Sequence, residues 1–401
     1  MDIIVILFWV VGFILFFFAF YQFFFLIISA IYWIANGKQI KGHVSKQARF
    51  GIIIPAHNEE LLIGGLVKSI NECNYPHDLV HTYVIADNCS PKDKTAEIAR
   101  SFGADVQERF DQDKRGKPYA LNWLISSIDL DSYDAFVIID ADTVIDKQFL
   151  IEMNNSIQRG NKVIQGYFGV MNPDENWLTR LSILPGVLKF LLHFPGKRLM
   201  GLSCPLAGNG MCFSAEVFKK YGWNAYSVAE NWEYYVQLTL NDYMVTSAED
   251  AIIYSQVAKN LKTGKDQRQR WQRGRIETLR SYWKQLITKS ITKFRFVYLD
   301  ALLEVARPSH SMLLFSSISF VILSAVAGYF AKVFNNLFIF GLVIVGLQVI
   351  YFLAGLIVQK APLKTWLSLF MVPPYLIWKF FISITAIMNR KNNAWIKTER
   401  H

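Results

Sequence analysis

The residues with the clearest chemical promise are Asp140-Ala141-Asp142, which follow the apolar run Phe136-Val137-Ile138-Ile139. Two carboxylates at alternate positions, leaving a buried strand, can hold a hard divalent ion such as Mg2+ together with phosphate oxygens and water. A lone pair at this spacing is common in solvated turns, so its position directly after a strand matters. Two other apolar runs end similarly, one in Pro55-Ala56-His57-Asn58-Glu59-Glu60 and one in Asp87-Asn88-Cys89-Ser90. Three strand ends that each bring a carboxylate to one sheet edge indicate a site, because ligands of open α/β sheets bind there. Lys114-Arg115-Gly116-Lys117-Pro118 precedes a helix. Basic residues match a helix start poorly, whereas a bound diphosphate would use both the lysines and the helix N-terminus. Gln267, Arg270 and Trp271, within Gln267-Arg268-Gln269-Arg270-Trp271-Gln272-Arg273-Gly274-Arg275, offer an amide, a planar bidentate cation and a stacking surface. These suit diphosphate and sugar recognition, although arginines beside a membrane also attract anionic lipid.

Positioning these groups requires an α/β framework. Short apolar runs at 50–54, 82–86, 104–107, 135–140 and 163–170 alternate with helix-length connections near 59–72, 93–101, 117–128 and 147–158. The alternation predicts a Rossmann-like α/β domain with a mostly parallel sheet. No GxGxxG follows the first strand, which weakens a dinucleotide-binding reading.

The 401-residue chain is too apolar for an ordinary soluble protein, with 52% hydrophobic and 18% charged residues, where soluble domains carry about a quarter charged. Its 31 Phe, 18 Tyr and 11 Trp exclude general disorder. Cys73, Cys89, Cys204 and Cys212 show no metal-ligand spacing and read as reduced thiols. Residues 3–37 are uncharged, longer than the roughly 20 needed to cross a bilayer. Asp2 precedes them and Lys38, Lys41, Lys46 and Arg49 follow, so the segment reads as a retained anchor with the following chain cytoplasmic. Residues 308–331 and 333–359 are also uncharged and long enough to span. The last apolar block is divided by Lys379 into 365–378 and 380–389 and is interrupted by Pro373-Pro374. Lys360 and Lys364 precede it, and Arg390, Lys391, Lys397 and Arg400 follow it. Basic residues at both ends favour a re-entrant or interfacial segment over a fourth span in which Lys379 snorkels. Residues 176–200, cut by Pro185 and Pro195, read as a helix pair, either against the bilayer or in the core. The surplus charge of +10 sits beside the membrane segments, so nucleic acid is not an expected partner.

With these motifs in order, residues 48–276 resemble the membrane-bound family-2 glycosyltransferases of the GT-A fold, the branch of cellulose, chitin, hyaluronan and poly-N-acetylglucosamine synthases. Pro55-Ala56-His57-Asn58-Glu59 resembles that family's P-x-x-N-E, and Asp87 its first nucleotide-contacting aspartate. Gly116-Lys117-Pro118-Tyr119-Ala120-Leu121-Asn122 is similar to its G-K-x-x-A-L-N, and Asp140-Ala141-Asp142 to its D-x-D metal motif. Gly208-Asn209-Gly210 resembles the loop before its acceptor site, and Gln267–Trp271 its Q-x-x-R-W. The resemblance implies a nucleotide-sugar donor, UDP-linked, contacted by Pro55, Asn58, Glu59, Asp87, Lys117, Asp140, Gly208, Asn209, Gln267, Arg270 and Trp271. It also implies Mg2+ or Mn2+ on Asp140 and Asp142. The family's general base is the Asp of Thr-Glu-Asp, but this chain reads Ala229-Glu230-Asn231-Trp232-Glu233. Asn231 cannot take a proton near neutral pH, so the base is expected in Glu230 or Glu233, which share a helix face at i, i+3.

The expectation is a multi-pass protein of the inner or plasma membrane with a cytoplasmic catalytic domain. Its parts are an anchor (1–37), a GT-A domain (48–276), an amphipathic interface segment (277–307), two spans (308–359), and a re-entrant or interfacial segment with a basic tail (360–401). The expected reaction is inverting transfer to a growing polysaccharide, with export or co-polymerase subunits as possible partners. The alternatives are single-sugar transfer to a membrane lipid and a non-catalytic co-polymerase subunit.

Overall fold

The computed structural model describes residues 2–36 and 46–388. Lys38, Lys41 and the basic residues after Met388, used in the topology reading, lie outside them. A 35-residue helix, α1 (Asp2–Asn36), comes first. Then β1 (Phe50–Ala56), α2 (Ile63–Asn71), β2 (Val80–Asp87), α3 (Thr95–Ser101), β3 (Asp105–Arg109), α4 (Lys117–Ile125) and β4 (Ala135–Ile138) alternate as expected. They form a parallel half-sheet ordered β3-β2-β1-β4. Its central residues are buried on both faces: Ile53, Ile85 and Phe136 pack on one side, and Ile52, Ile54, Val84 and Val137 on the other. Burial on both faces explains why these strands read as continuous apolar runs.

The chain continues through β5 (Thr143–Ile145), α5 (Phe149–Gln158), β6 (Val163–Val170), α6 (Trp177–Leu181), α7 (Leu184–Phe190), α8 (Phe194–Leu199), β7 (Met211–Ser214), α9 (Ala215–Tyr221), α10 (Glu230–Leu240) and β8 (Val245–Ser255). The eight-stranded sheet runs β3-β2-β1-β4-β7-β6-β8-β5. Strand β7 is antiparallel to both neighbours, β6 and β8 are parallel, and β5 closes the edge antiparallel to β8. This is the mostly parallel mixed sheet of the GT-A fold. The sequence reading missed β5, β7 and β8: β5 and β7 are three and four residues long, and Glu249-Asp250 interrupts the apolar pattern of β8. Residues 176–200 form three short helices rather than a pair. Pro185 and Pro195 sit at the starts of α7 and α8, where their missing N–H costs nothing, so they begin helices instead of cutting them. Helix α8 packs on α1 and α7 on α14 (Phe334–Val358), with Leu184 and Leu188 seated against Gly355.

Beyond the sheet, α11 (Thr263–Lys293) leads to α12 (Phe296–Ala306), α13 (His310–Phe330), the already introduced α14, α15 (Leu363–Ser368) and α16 (Val372–Met388). The boundary drawn at 276/277 falls inside α11, which ends only at Phe294, in the left-handed region at φ 48°. Helix α12 anchors a buried ionic cluster. Lys197 Nζ lies 2.7 Å from Asp300 Oδ2 and 3.1 Å from Glu304 Oε1, and Tyr21 donates to Asp300 Oδ1 at 2.7 Å. His193 also bonds Glu304. The cluster joins α1, α8 and α12 with its charges paired, as burial requires.

Among the described residues, four helical stretches are long and apolar enough to cross a membrane: 3–35, 310–330, 334–358 and 363–385. The last joins α15, a 3-10 turn at Leu369–Met371 and α16. Its two ends touch elements of the sheet domain's side. Helix α15 packs on α6, Ser383 Oγ donates to Gln272 Oε1 at 3.1 Å, and Gln269 Nε2 donates to Thr385 Oγ1 at 2.7 Å.

Candidate functional site

Parallel register brings the carboxyl ends of β1, β2 and β4 to one edge, and the polar residues gather there. Asp87 ends β2 opposite Arg109 of β3. Arg109 Nη1 donates to Asp87 Oδ1 at 2.6 Å, both side chains being buried, and the Gly116 N–H donates to Oδ2 at 3.3 Å. Gly116 has φ +103°, a backbone shape that favours glycine and starts α4 with Lys117 facing the site. Asn58 Oδ1 accepts from the Ser90 N–H at 2.8 Å, and Glu59 N–H donates to Thr95 Oγ1 at 2.7 Å. These bonds tie the Pro55–Glu59 loop to the loop after β2.

The loop after β4 is fixed by Asn209. Its Oδ1 accepts from the Asp140 N–H at 3.0 Å, and its Nδ2 donates to Thr143 Oγ1 at 2.8 Å. Gly208, at φ +90°, turns its carbonyl to Lys117. Lys117 Nζ lies 2.5 Å from both Gly208 O and Asp140 Oδ1, and 3.9 Å from Glu230 Oε1.

The two base candidates separate. Glu230, at the start of α10, faces Lys117 and Asp140. Burial raises its pKa above the ordinary carboxylate range, Lys117 and Arg270 pull it down, and Asp140 adds to the rise. Glu233 turns elsewhere: Oε2 accepts from the Ser227 N–H at 2.8 Å, and Oε1 accepts from Tyr282 at 3.1 Å. Asn231 donates to Leu206 O at 2.8 Å and packs beneath Gly208, a supporting position.

Pro55, Asn58, Glu59, Asp87, Lys117, Asp140, Gly208, Asn209 and Glu230 border one cavity of about 1890 Å3, which also takes in Gln267, Arg270 and the half-exposed Trp271, whereas Arg109 and Glu233 lie outside its lining. The cavity continues past Leu184 and Leu188 to Phe352, Leu353 and Leu356 of α14 and Leu376 of α16. A polar end at the carboxylates and an apolar end among the membrane-type helices therefore share one space. Asp140 and Asp142 both line its polar end. Two hard oxygen donors fit Mg2+ or Mn2+ rather than a soft metal. Among the described residues no group of three or more His, Cys, Asp or Glu could hold a metal alone, so phosphate oxygens and water would complete the shell.

Two contributors escaped the sequence reading. Arg109 is recognisable only once β2 and β3 are in register. Gly274 lets α11 approach α10: a Cβ there would meet the Ala229 side chain and lie 2.7 Å from its backbone nitrogen. Its place just after the Gln267–Trp271 motif was the available signal.

The chain is 25% identical over 248 residues to a beta-monoglucosyldiacylglycerol synthase of Trichormus variabilis, covering 59% of this chain and 51% of that protein. It is 23% identical over 270 residues to the poly-beta-1,6-N-acetyl-D-glucosamine synthase of Staphylococcus epidermidis, covering 65% and 62%. The chain thus spans about half to three fifths of these relatives' length. A mannosyltransferase of Pyrobaculum calidifontis, solved with GDP-Man and Mn2+, aligns at 15% identity over 84% of this chain and 99% of that one, with a TM-score of 0.48. Residues 48–274, more than half of the chain, match the family described as glycosyltransferase like family 2, and the chain belongs to that family.

Proposed function

We propose that this chain is a membrane-embedded inverting glycosyltransferase that moves one sugar from a UDP-linked donor to the hydroxyl of a membrane lipid. The observation that carries this reading is the continuity of the cavity from Asp140 and Glu230 to Leu353 and Leu356. A lipid can lay its chains along the apolar end while its hydroxyl meets Glu230. In this reading Asp87 and the loop of Pro55, Asn58 and Glu59 hold the nucleotide, while Lys117 and Arg270 offer positive charge to the departing diphosphate. Asp140 and Asp142 are the residues that would hold Mg2+ or Mn2+, which when bound neutralises charge on the diphosphate. Glu230 takes the proton of the acceptor hydroxyl, and its burial-raised pKa moves it toward the range useful to a base at neutral pH. Attack from the face opposite the diphosphate inverts the anomeric carbon. The name of the Trichormus relative, a glucosyldiacylglycerol synthase, supports a lipid acceptor.

A second reading, a growing polysaccharide, draws on Gln267, Arg270 and Trp271 on the cavity wall and on the name of the Staphylococcus relative. Three spans are few for a channel, so that reading calls for accessory export subunits. A non-catalytic co-polymerase loses its main sign, because Asn231 has a supporting contact and Glu230 supplies a carboxylate. We place the protein in the cell membrane as a multi-pass chain with a cytoplasmic catalytic domain. The contacts of α15 with α6 and of Ser383 and Thr385 with α11 favour an interfacial or re-entrant last segment. The test is product mass after incubation with UDP-sugars: a lipid heavier by one sugar supports lipid transfer, and a ladder of sugar additions supports the polymer.

A further inference from the structure

We propose that the lipid occupying the membrane end of the cavity carries an anionic group, a phosphate or carboxylate, held by Lys189, Arg268 and Lys379. This rests on the lipid-acceptor reading. The three residues come from α7, α11 and α16 and line the same cavity. Among the described residues none of them forms an ion pair, whereas the buried Arg109 is paired with Asp87, and the buried Lys197 with Asp300 and Glu304. Glu304, the carboxylate whose charge reaches Lys189, is already shared by Lys197, His193 and Arg307. Glu277, which also lines the cavity, bridges to none of the three. Arg268 has its Nη1 buried without a hydrogen-bond partner. Its guanidinium stands 5.3 Å from the Trp378 ring centroid and 6.0 Å from that of Tyr375. Lys189 Nζ lies over Phe190 and Phe194, at 5.4 and 5.2 Å. Burial pushes the Lys189 ammonium down to about 8, so it remains a cation at neutral pH.

Partly buried cations without counter-charges are costly, and Arg268 stands close enough to Lys379 for the two to repel. An anion between them removes both penalties. The start of α13 adds to the same field: Ser309, its N-cap, and His310 and Ser311 of its first turn line the cavity, presenting the positive end of a 21-residue helix. A neutral lipid would leave all of this charge unanswered.

The experiment uses the full chain in phosphatidylcholine nanodiscs containing spin-labelled phosphatidylglycerol or spin-labelled diacylglycerol, and reads the immobilised fraction by electron paramagnetic resonance. Phosphatidylglycerol is expected to be preferred about tenfold, equivalent to about 1.4 kcal/mol. Lys189→Gln with Lys379→Gln should reduce the preference to less than about twofold while UDP binding is unchanged. Equal immobilisation of the two lipids, or a preference that survives the double substitution, overturns the proposal. Displacement of the bound lipid by saturating UDP or by inorganic phosphate also overturns it, since the cations would then belong to the donor site. If the double variant does not fold, the wild-type comparison decides. Immobilisation of neither lipid would count against the lipid-acceptor reading itself, whereas equal immobilisation counts only against the anionic group.

Discussion

Replacing Glu230 by Gln keeps the shape of the site and removes its only carboxylate that is both close to Lys117 and borne by α10. Two opposing effects act on that carboxylate. Lys117 at 3.9 Å favours the charged form by about 4 kcal/mol at an effective dielectric of about 20. Burial opposes it and wins, because the pKa is raised. A base must be deprotonated to act, so activity should fall as pH drops through this raised pKa, above the ordinary glutamate value of about 4.3. Glu230→Gln should slow transfer by about 10²–10⁴-fold, equivalent to about 2.7–5.5 kcal/mol of barrier, and should abolish that acid limb. The sign for stability is opposite. A carboxyl with a raised folded-state pKa contributes stability below its unfolded pKa and loses it as pH rises through the folded value. The variant should therefore be at least as stable as wild type at neutral pH. The assay is single-turnover transfer at saturating donor from pH 5 to 9, beside UDP binding and thermal unfolding. Transfer at the wild-type rate with an unchanged acid limb would refute the assignment. If Glu233→Gln alone were inactive while still folded, the base would be Glu233.

Other outcomes follow from the same geometry. Asp142→Asn should remove divalent-ion-dependent turnover without unfolding the protein; turnover unchanged by EDTA would contradict the metal site. Gly274→Ala should press α11 against Ala229 and shift Glu230, lowering kcat by up to about 10²-fold with donor KM unchanged, and a wild-type kcat would show that this close approach is unimportant. Lys197→Met leaves Asp300 buried without its cation and should cost about 3–5 kcal/mol, read as a lower Tm in detergent; an unchanged Tm would argue against the buried pair. A reporter fused after His401 should read as cytoplasmic, and an external reading would make the last segment a fourth span.

Much of the candidate site was legible in the residues because the motifs around Pro55, Asp87 and Asp140 sit at strand ends. Five apolar runs matched β1, β2, β3, β4 and β6, and the carboxylates after them meet at one edge because parallel strands carry their ends to the same side. What stayed hidden depends on contacts between distant segments. Arg109 reaches Asp87 only through the β2–β3 register. Glu230 and Glu233 look equivalent in sequence, and what separates them is that the Ser227 N–H and Tyr282 take Glu233. The short β7 lacks enough residues to show a period, yet its antiparallel insertion between β4 and β6 joins the two halves of the sheet. Lys379 could be read only as a difficulty for a membrane span; its place on the cavity wall depends on how α16 packs against α11 and α13.

The central claim is that a donor site at Asp87 and Asp140 serves an acceptor arriving from the membrane through one cavity. The most direct measurement is mass spectrometry of the lipid extract after purified protein in nanodiscs is incubated with a panel of UDP-sugars, with Glu230→Gln as control. The account predicts a membrane lipid heavier by one sugar residue, formed by wild type and nearly absent with the variant. Donor hydrolysis without any glycosylated lipid, or the same lipid product from both proteins, would contradict it.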